Sequence, residues 1–429
     1  MDEITDSTTV RPRLRTWAGN LEYSARRLLE PTSLDELRRT VAGSTRLRAL
    51  GTRHSFSAVA DTTGDLVSVA RMPRRIEIDP EARTVTVSAG LRFGEIAPVL
   101  HEAGWALGNL GSLPHICVAG AAATGTHGSG DANRVLGASV AALELVTATG
   151  DVVTLRRGDD GFDGALVALG RLGVVTAVTL DVRPTYEIRQ LVHLGLPGAA
   201  GLEHVTELLA GAYSVSLFTR WEEPLEFVVL SKHRIGAGDD RASAAAQEWG
   251  ARPASAPWHP VPGMPVENVT QQLGEPGSWY ARLPHFRLEF TPSSGDELQS
   301  EYFVDRSDAR AALEALAAVG RVVEPVLQVG EVRSIAADDL WLSPAYGRDT
   351  VALHFTWVLD MAAVLPALRA VEEALAPLNA RPHWGKVFTT PAAAMRSLYE
   401  RIPDANALAR RFDPDGVFRN AFIEEYLEG

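Results

Sequence analysis

Gly51-Thr52-Arg53-His54-Ser55-Phe56 follows directly on the run Leu47-Arg48-Ala49-Leu50. A strand that feeds a tight loop points successive backbone N–H groups into a concavity, and such concavities bind phosphate anions. Phosphate binding alone needs no imidazole. His54 beside such a loop points to a ring that bonds covalently to a cofactor. The competing reading is a turn that carries a surface His and Ser, since short motifs match by chance.

A second stretch narrows the choice. Residues 111–130 read Gly-Ser-Leu-Pro-His-Ile-Cys-Val-Ala-Gly-Ala-Ala-Ala-Thr-Gly-Thr-His-Gly-Ser-Gly. Small residues let a backbone approach a ligand closely. Ile116 and Val118 interrupt the run, and apolar strands flank it, so it reads as a ligand cradle rather than a linker. It is not a nicotinamide-type fingerprint, because the spacing differs and no strand–turn–helix frame surrounds it. It also lacks the Lys-Ser/Thr ending of a P-loop.

Together the two stretches resemble the FAD-binding domain of the vanillyl-alcohol oxidase type, in its aldonolactone and alditol oxidase branch. The similarity runs from about Trp17 to the C-terminus. Thr291-Pro292-Ser293-Ser294-Gly295, Trp341-Leu342-Ser343-Pro344-Ala345-Tyr346-Gly347-Arg348-Asp349-Thr350 and Arg381-Pro382-His383-Trp384-Gly385-Lys386 extend it. The resemblance implies an α+β, two-domain vanillyl-alcohol oxidase-like fold. Its FAD-binding domain would cover residues 13–185 and be completed by the C-terminal segment 390–429. A cap domain, an antiparallel sheet covered by helices, would cover 186–389.

The resemblance also implies FAD, cradled by Leu50, Gly51, Thr52, Arg53, His54, Ser55, Gly111, Ser112, Cys117, Gly120, Ala121, Ala123, Thr124, Gly125, Val175 and His383. His54 matches the position that links to the flavin 8α-methyl. Relatives with two links carry a cysteine where this chain has Leu113, so a single covalent link is expected. Cys117 reads as a packing residue of the cradle. Some relatives have a small residue in place of Arg53; a cation there would suit the pyrophosphate. Gly111 stands where a small side chain would leave a path for O₂, or where a turn needs glycine.

The polar residues of the second half recur at strand spacing. Glu331 and Arg333 are two apart, as are His354 and Thr356, and Gln299 and Glu301. Residues so spaced share one face of a strand. In Val351-Ala352-Leu353-His354-Phe355-Thr356-Trp357 the odd positions are apolar and form the opposite face. A polar face suits a polyhydroxylated ligand, since each desolvated hydroxyl needs a partner. From the residues alone, the solvated face of an antiparallel sheet is the favoured explanation. The resemblance places the sheet over the flavin and matches Ser112, Gln299, Glu331, Arg333, Thr356 and Lys386 to substrate-binding positions. It implies hydride transfer from a primary alcohol carbon, with Arg333 and Lys386 stabilising alkoxide character. Glu331 would orient Arg333. Lys386, its pKa depressed by the arginine, His354 or a water would take the proton.

The implied activity is oxidation of the terminal hydroxyl of a small polyol such as xylitol or sorbitol, with O₂ reduced to H₂O₂. A sugar-lactone oxidase or dehydrogenase on the same scaffold is the alternative. A flavin- or sugar-binding protein without turnover is a third reading.

The bulk numbers agree with a globular enzyme. The chain has 429 residues, 46% apolar and 22% charged, enough for two or three domains. Its formal net charge of −13 argues against nucleic acid and anionic membrane as partners, since both need a basic face. Cys117 is the one cysteine, so no intramolecular disulfide forms. The start, Met1-Asp2-Glu3-Ile4-Thr5, lacks the basic and apolar regions of a signal peptide. No apolar run approaches the ~18–20 residues that span a bilayer. A cytoplasmic monomer is the expectation.

Local patterns fill in the elements. Residues 1–12 read as a loose tail, and Ser33-Leu34-Asp35-Glu36 as a capping box ahead of a helix. Residues 75–78 with 84–87, and 143–147 with 152–155, read as hairpins. Helices are expected over 93–103, 309–318 and 363–375. Strands are expected over 173–180, 286–290 and 302–304. His101-Glu102 lacks the second histidine of a zinc-protease motif. His115 and His127 have no further ligands beside them, so no metal is expected. Arg11, Arg13, Arg15 and Glu424-Glu425 read as solvated surface.

Overall fold

The computed structural model describes residues 14–238 and 241–428. The expected tail over 1–12, with Arg11 and Arg13, lies outside the described residues. Three main sheets carry the fold. The smallest is parallel, with Asp65–Val67 between Arg27–Leu29 and Leu47–Ala49. The helix Leu34–Ala42 crosses between its outer strands and buries Leu37 and Val41. Ser33 caps it by accepting from Glu36 N at 3.3 Å. Glu36 does not return the bond; its carboxylate takes Thr32 N at 2.8 Å, so only half of the expected capping box forms.

The second sheet is antiparallel, in the order Ile76–Asp79, Thr84–Ser88, Val174–Asp181, Val140–Val146, Val152–Arg156. Both expected hairpins form, with Ile76 opposite Val87 and Val146 opposite Val152. Period-2 alternation turns Val85, Val87, Val178 and Leu180 into a core shared with Ile96 and Leu100 of the helix Phe93–Glu102. Valine and threonine fit this half-buried pleated surface.

The largest sheet has nine strands. Its centre runs Glu226–Arg234, Ser214–Thr219, Leu327–Ile335, Thr350–Val358, Glu297–Asp305, all antiparallel. The odd residues Val351, Leu353, Phe355 and Trp357 enter one core with Leu313, Leu316, Leu368 and Val371 of the helices Ala309–Ala318 and Met361–Leu375. Asp360 caps the latter helix by accepting from the N–H groups of Ala362 and Ala363. One face of the sheet is therefore sealed by helices, and the even residues face the opposite way.

Residues 286–290 are not a strand. Phe286 makes one isolated bridge to Val269, and a turn follows. The N–H groups of His285 and Phe286 both donate to the Ser112 carbonyl, and Arg287 N donates to Asn268. Two of these hydrogen bonds thus go to the glycine-rich stretch and the third to the isolated bridge, with no longer ladder, which an alternating pattern cannot distinguish.

The C-terminal segment returns to the parallel sheet. Leu47 N donates to Val417 at 2.8 Å, and Asn420 Nδ2 donates to Asp61 at 2.7 Å. Buried Arg48 gathers four carbonyls, of Val59, Leu169, Gly170 and Phe418. It pins the loop at 169–170 and the chain's end to one point. Among the described residues, no helix is long and apolar enough to cross a membrane.

Candidate active site

One long cavity runs from the loop after Leu47–Ala49 to the even face of the large sheet. One end of it is lined by Leu50, Gly51, Thr52, Arg53, His54, Ser55, Gly111, Ser112, Cys117, Gly120, Ala121, Ala123, Thr124 and Val175, all expected cradle residues. Gly125 is the exception. It closes the helix Val118–Thr124 in the left-handed region at φ 74°, and a Cβ there would meet Pro344 at 2.9 Å. Its role is to end the helix, and it does not line the cavity. A Cβ on Gly51 or Gly120 would meet the Cys117 sulfur at 2.6 or 2.9 Å. Cys117 is thus the wedge between the two glycine-bearing segments, as its packing role requires.

Arg53 takes φ 65°, unusual for a residue with a side chain. The turn is held by Trp17 N donating to its carbonyl at 2.8 Å. Its guanidinium donates to the Arg15 carbonyl at 3.1 Å, on the outside of the loop. His54 stacks on Trp17, ring centroids 5.3 Å apart. Both ring nitrogens are buried and have no hydrogen-bond partner among the described residues. Burial pushes its pKa down to about 4, with His115 adding to the effect. A buried neutral imidazole with a free lone pair costs stability unless something bonds to it. A cradle of small residues ending at such a ring fits FAD and fits attachment through His54.

Gly111 has an ordinary backbone, and a Cβ there would meet nothing nearer than 3.5 Å. The turn does not demand glycine at this place.

The other end of the cavity is the even face of the sheet. Gln299, Glu331, Arg333, His354, Thr356 and Lys386 all line it, and Ser112 faces them from the cradle. The ladder sets the spacing: Gln299 pairs with Thr356, and His354 lies between Glu301 and Glu331. This is not a solvated face, because Glu301, Glu331, Arg333 and Thr356 are all 6% exposed or less. Arg333 Nη1 donates to Ser112 Oγ at 3.2 Å. Lys386 is delivered from outside the central strands. Residues 383–387 run along the sheet edge, with His383 N donating to Glu301 O and Val387 N to Gln299 O, both at 2.9 Å. Gly385 O accepts from Phe56 N at 2.7 Å, tying this segment to the His54 loop. His383 turns inward, accepts from Gly385 N at 3.0 Å and meets the ring of Phe303. Burial pushes its pKa down to about 3.

Glu301, noted for its spacing to Gln299 but given no role, is the hub. Its Oε1 takes Arg333 Nη2 at 2.6 Å and its Oε2 takes Lys386 Nζ at 2.7 Å. His127 Nε2 lies 3.3 Å away. Burial pushes the Glu301 carboxyl up, but Lys386, His127 and Arg333 outweigh it and hold it well below the carboxylate range. Glu331, expected to orient Arg333, is the more distant carboxylate at 3.6 Å. It accepts from His285 Nε2 at 2.8 Å. The ammonium of Lys386 also meets His354 Nδ1 at 2.8 Å. Its pKa is lowered first by burial; Arg333 contributes less, and Glu301 opposes. The expected cause, the arginine, is thus secondary. Glu301, His127 and His285 were missed as site residues. Glu301 had its strand spacing to Gln299 as a signal, and His127 its place in the glycine-rich stretch; His285 had none, since a loop brings it in.

A family model described as FAD binding domain matches residues 25–156, and one described as D-arabinono-1,4-lactone oxidase matches 296–426. An alditol oxidase of Streptomyces is 51% identical over 96% of this chain and 98% of its own length. The L-gulono-1,4-lactone dehydrogenase of Mycobacterium tuberculosis is 30% identical over 97% of this chain and 99% of its own. Among solved structures, cholesterol oxidase from B. sterolicum superposes with TM-score 0.76 at 13% identity, covering 97% of this chain and 96% of that one. Xylooligosaccharide oxidase from Myceliophthora thermophila, with xylobiose, gives 0.74 at 15% identity, covering 97% and 95%. These two show a shared fold.

Proposed function

The chain belongs to the aldonolactone and alditol oxidase branch of the vanillyl-alcohol oxidase-type flavoproteins, and from that premise we propose that it is an FAD-dependent alditol oxidase. It oxidises the terminal primary hydroxyl of a small polyol, xylitol or sorbitol, to the aldose and reduces O₂ to H₂O₂. One observation carries the reading: the unpartnered His54 ring and the Arg333–Glu301–Lys386 cluster face one continuous cavity. FAD sits in the cradle through one covalent link to His54. The FAD-binding domain spans 13–185 with 390–429, and the cap 186–389; the return of Val417 and Phe418 to the parallel sheet supports this division.

Bound FAD supplies the hydride acceptor and passes the electrons to O₂. The protein supplies the rest. Arg333 stabilises negative charge developing on the substrate oxygen, and Lys386 does so as it gains the proton. Glu301 fixes both cations and keeps them from repelling each other apart. Lys386, depressed below the ordinary lysine value, takes the hydroxyl proton in its neutral form, and His354 Nδ1 holds it in place. Ser112, Gln299, Glu331 and Thr356 bind the other hydroxyls. Gly111 leaves a path for O₂.

A lactone oxidase or dehydrogenase is the second reading, favoured by the lactone oxidase model over 296–426. Anaerobic flavin reduction with xylitol, sorbitol, glycerol and gulono- and galactonolactones decides. Rapid bleaching by the polyols, followed in air by stoichiometric peroxide, supports the proposal. Bleaching by lactones alone transfers the protein to the second reading. No bleaching by any of them leaves a binding protein.

A further inference from the structure

Behind Glu331 lies a chain of buried polar groups that the chemistry above does not use. Lys232, on the strand Glu226–Arg234, is 1% exposed. Its Nζ donates to the Leu283 carbonyl and lies 3.2 Å from Nδ1 of His285. His285 in turn places Nε2 2.8 Å from Oε1 of Glu331. His285 is 7% exposed, and its backbone is clamped between Ser112 O and Thr270 N. The ring of Phe218 closes on its edge at 5.6 Å.

The direction of each bond in this chain is fixed by elementary chemistry. An ionised carboxylate has acceptors and no donor. Nε2 of a neutral His285 therefore carries the proton donated to Glu331, and its bare Nδ1 accepts from Lys232, whose pKa burial pushes down to about 7 but whose amine donates in either state. The ring is neutral, since burial, and then Lys232, push its pKa down to about 4. Glu331 stays ionised, because Arg333 and His285 outweigh the effect of burial. Its Oε1 is thus spent on a protein N–H. Its Oε2 takes no hydrogen bond from the described residues, and Glu331 lines the cavity.

We infer that Lys232 and His285 are positioning residues which lock Glu331 as an acceptor-only anion, so that the cavity selects a ligand presenting a hydroxyl donor there. A carbonyl at that place would meet an acceptor with an acceptor, and a methylene would leave the anion unpaired. This deepens the alditol oxidase reading and rests on it, because it assigns the source of selection among polyols and against less hydroxylated analogues. A site built to bond a substrate hydroxyl discriminates strongly against the analogue that lacks it, since its own polar group is then left unpaired.

The test uses the FAD-loaded enzyme, xylitol and the single-deoxy derivatives of xylitol, with anaerobic flavin reduction giving kcat/KM for each. Glu331→Gln identifies the hydroxyl concerned, as the one whose deletion penalty shrinks in that variant. In the wild type this penalty is expected to be about 100-fold or more. His285→Leu and Lys232→Met should each shrink the same penalty at least about tenfold and leave the penalties at other hydroxyls in place. His285→Gln should restore it, because its amide accepts from Lys232 and donates to Glu331. An unchanged penalty in His285→Leu overturns the positioning role while leaving the oxidase reading intact. A wild type whose flavin no polyol reduces overturns the oxidase reading itself. If His285→Leu does not fold, ¹⁵N chemical shifts of His285 in the wild type decide. A bare Nδ1 with a protonated Nε2 supports the lock; the opposite tautomer, or a charged ring, overturns it.

Discussion

Nζ of Lys386 lies 2.7 Å from Oε2 of Glu301, on the buried face of the large sheet. The same carboxylate holds Arg333, so one anion separates two cations that would otherwise repel. Glu301→Gln keeps the shape and removes that charge. Because Glu301 raises the pKa of Lys386, its loss lets burial and Arg333 push that pKa lower still. The rising limb of kcat/KM against pH should therefore move to lower pH. Leaving buried cations unpaired should also cost about 3–5 kcal/mol of stability. A pH profile that stays in place would remove Lys386 as the proton acceptor.

Arg333→Ala and Lys386→Ala should each lower turnover by about 100-fold or more with FAD retained. Both groups face the cavity: without Arg333 the developing negative charge loses its cation, and without Lys386 the hydroxyl loses its proton acceptor. Stopped-flow reduction of the bound flavin by xylitol measures the effect. Near-native rates in either variant would strike that residue from the mechanism.

His54 should fluoresce by proxy. The wild-type band on a denaturing gel should show flavin fluorescence after acid treatment, and the His54→Ala band should not. The unpartnered ring nitrogens motivate this expectation. A dark wild-type band contradicts the covalent link.

Gly111→Ala should fold, because its Cβ has room. It should slow reoxidation of the reduced flavin by O₂ and leave reduction by xylitol unchanged. Stopped-flow measurement of the two half-reactions separates them. Equal reoxidation rates would remove Gly111 from the oxygen path.

Acid should destabilise the protein through His285. Its folded pKa is about 4, below the ordinary 6.5, so the unfolded chain takes up the proton first as pH falls. Stability present above pH 6.5 is then lost between about 6.5 and 4, by up to about 1.4 kcal/mol per pH unit. His285→Gln should flatten this loss. Parallel curves of denaturation midpoint against pH for the two proteins would refute it.

Much was legible in the chain itself. Local signals determined the hairpins, the helices and the polar even face of the strands, because side-chain periodicity is a property of neighbouring residues. The His54 loop and the glycine-rich stretch declared a cradle for the same reason, since only small residues and loops permit close backbone approach. The reading failed where partners are distant in sequence. Phe286–Phe290 alternates like a strand but spends its N–H groups elsewhere. Glu301 became the hub only when residues 383–387 were laid along its strand, 85 positions from Lys386. Lys232 and His285, 53 positions apart, meet behind Glu331 with no pattern linking them. Periodicity fixes which face a residue takes, but the partner that satisfies a buried charge is chosen by packing across the whole fold.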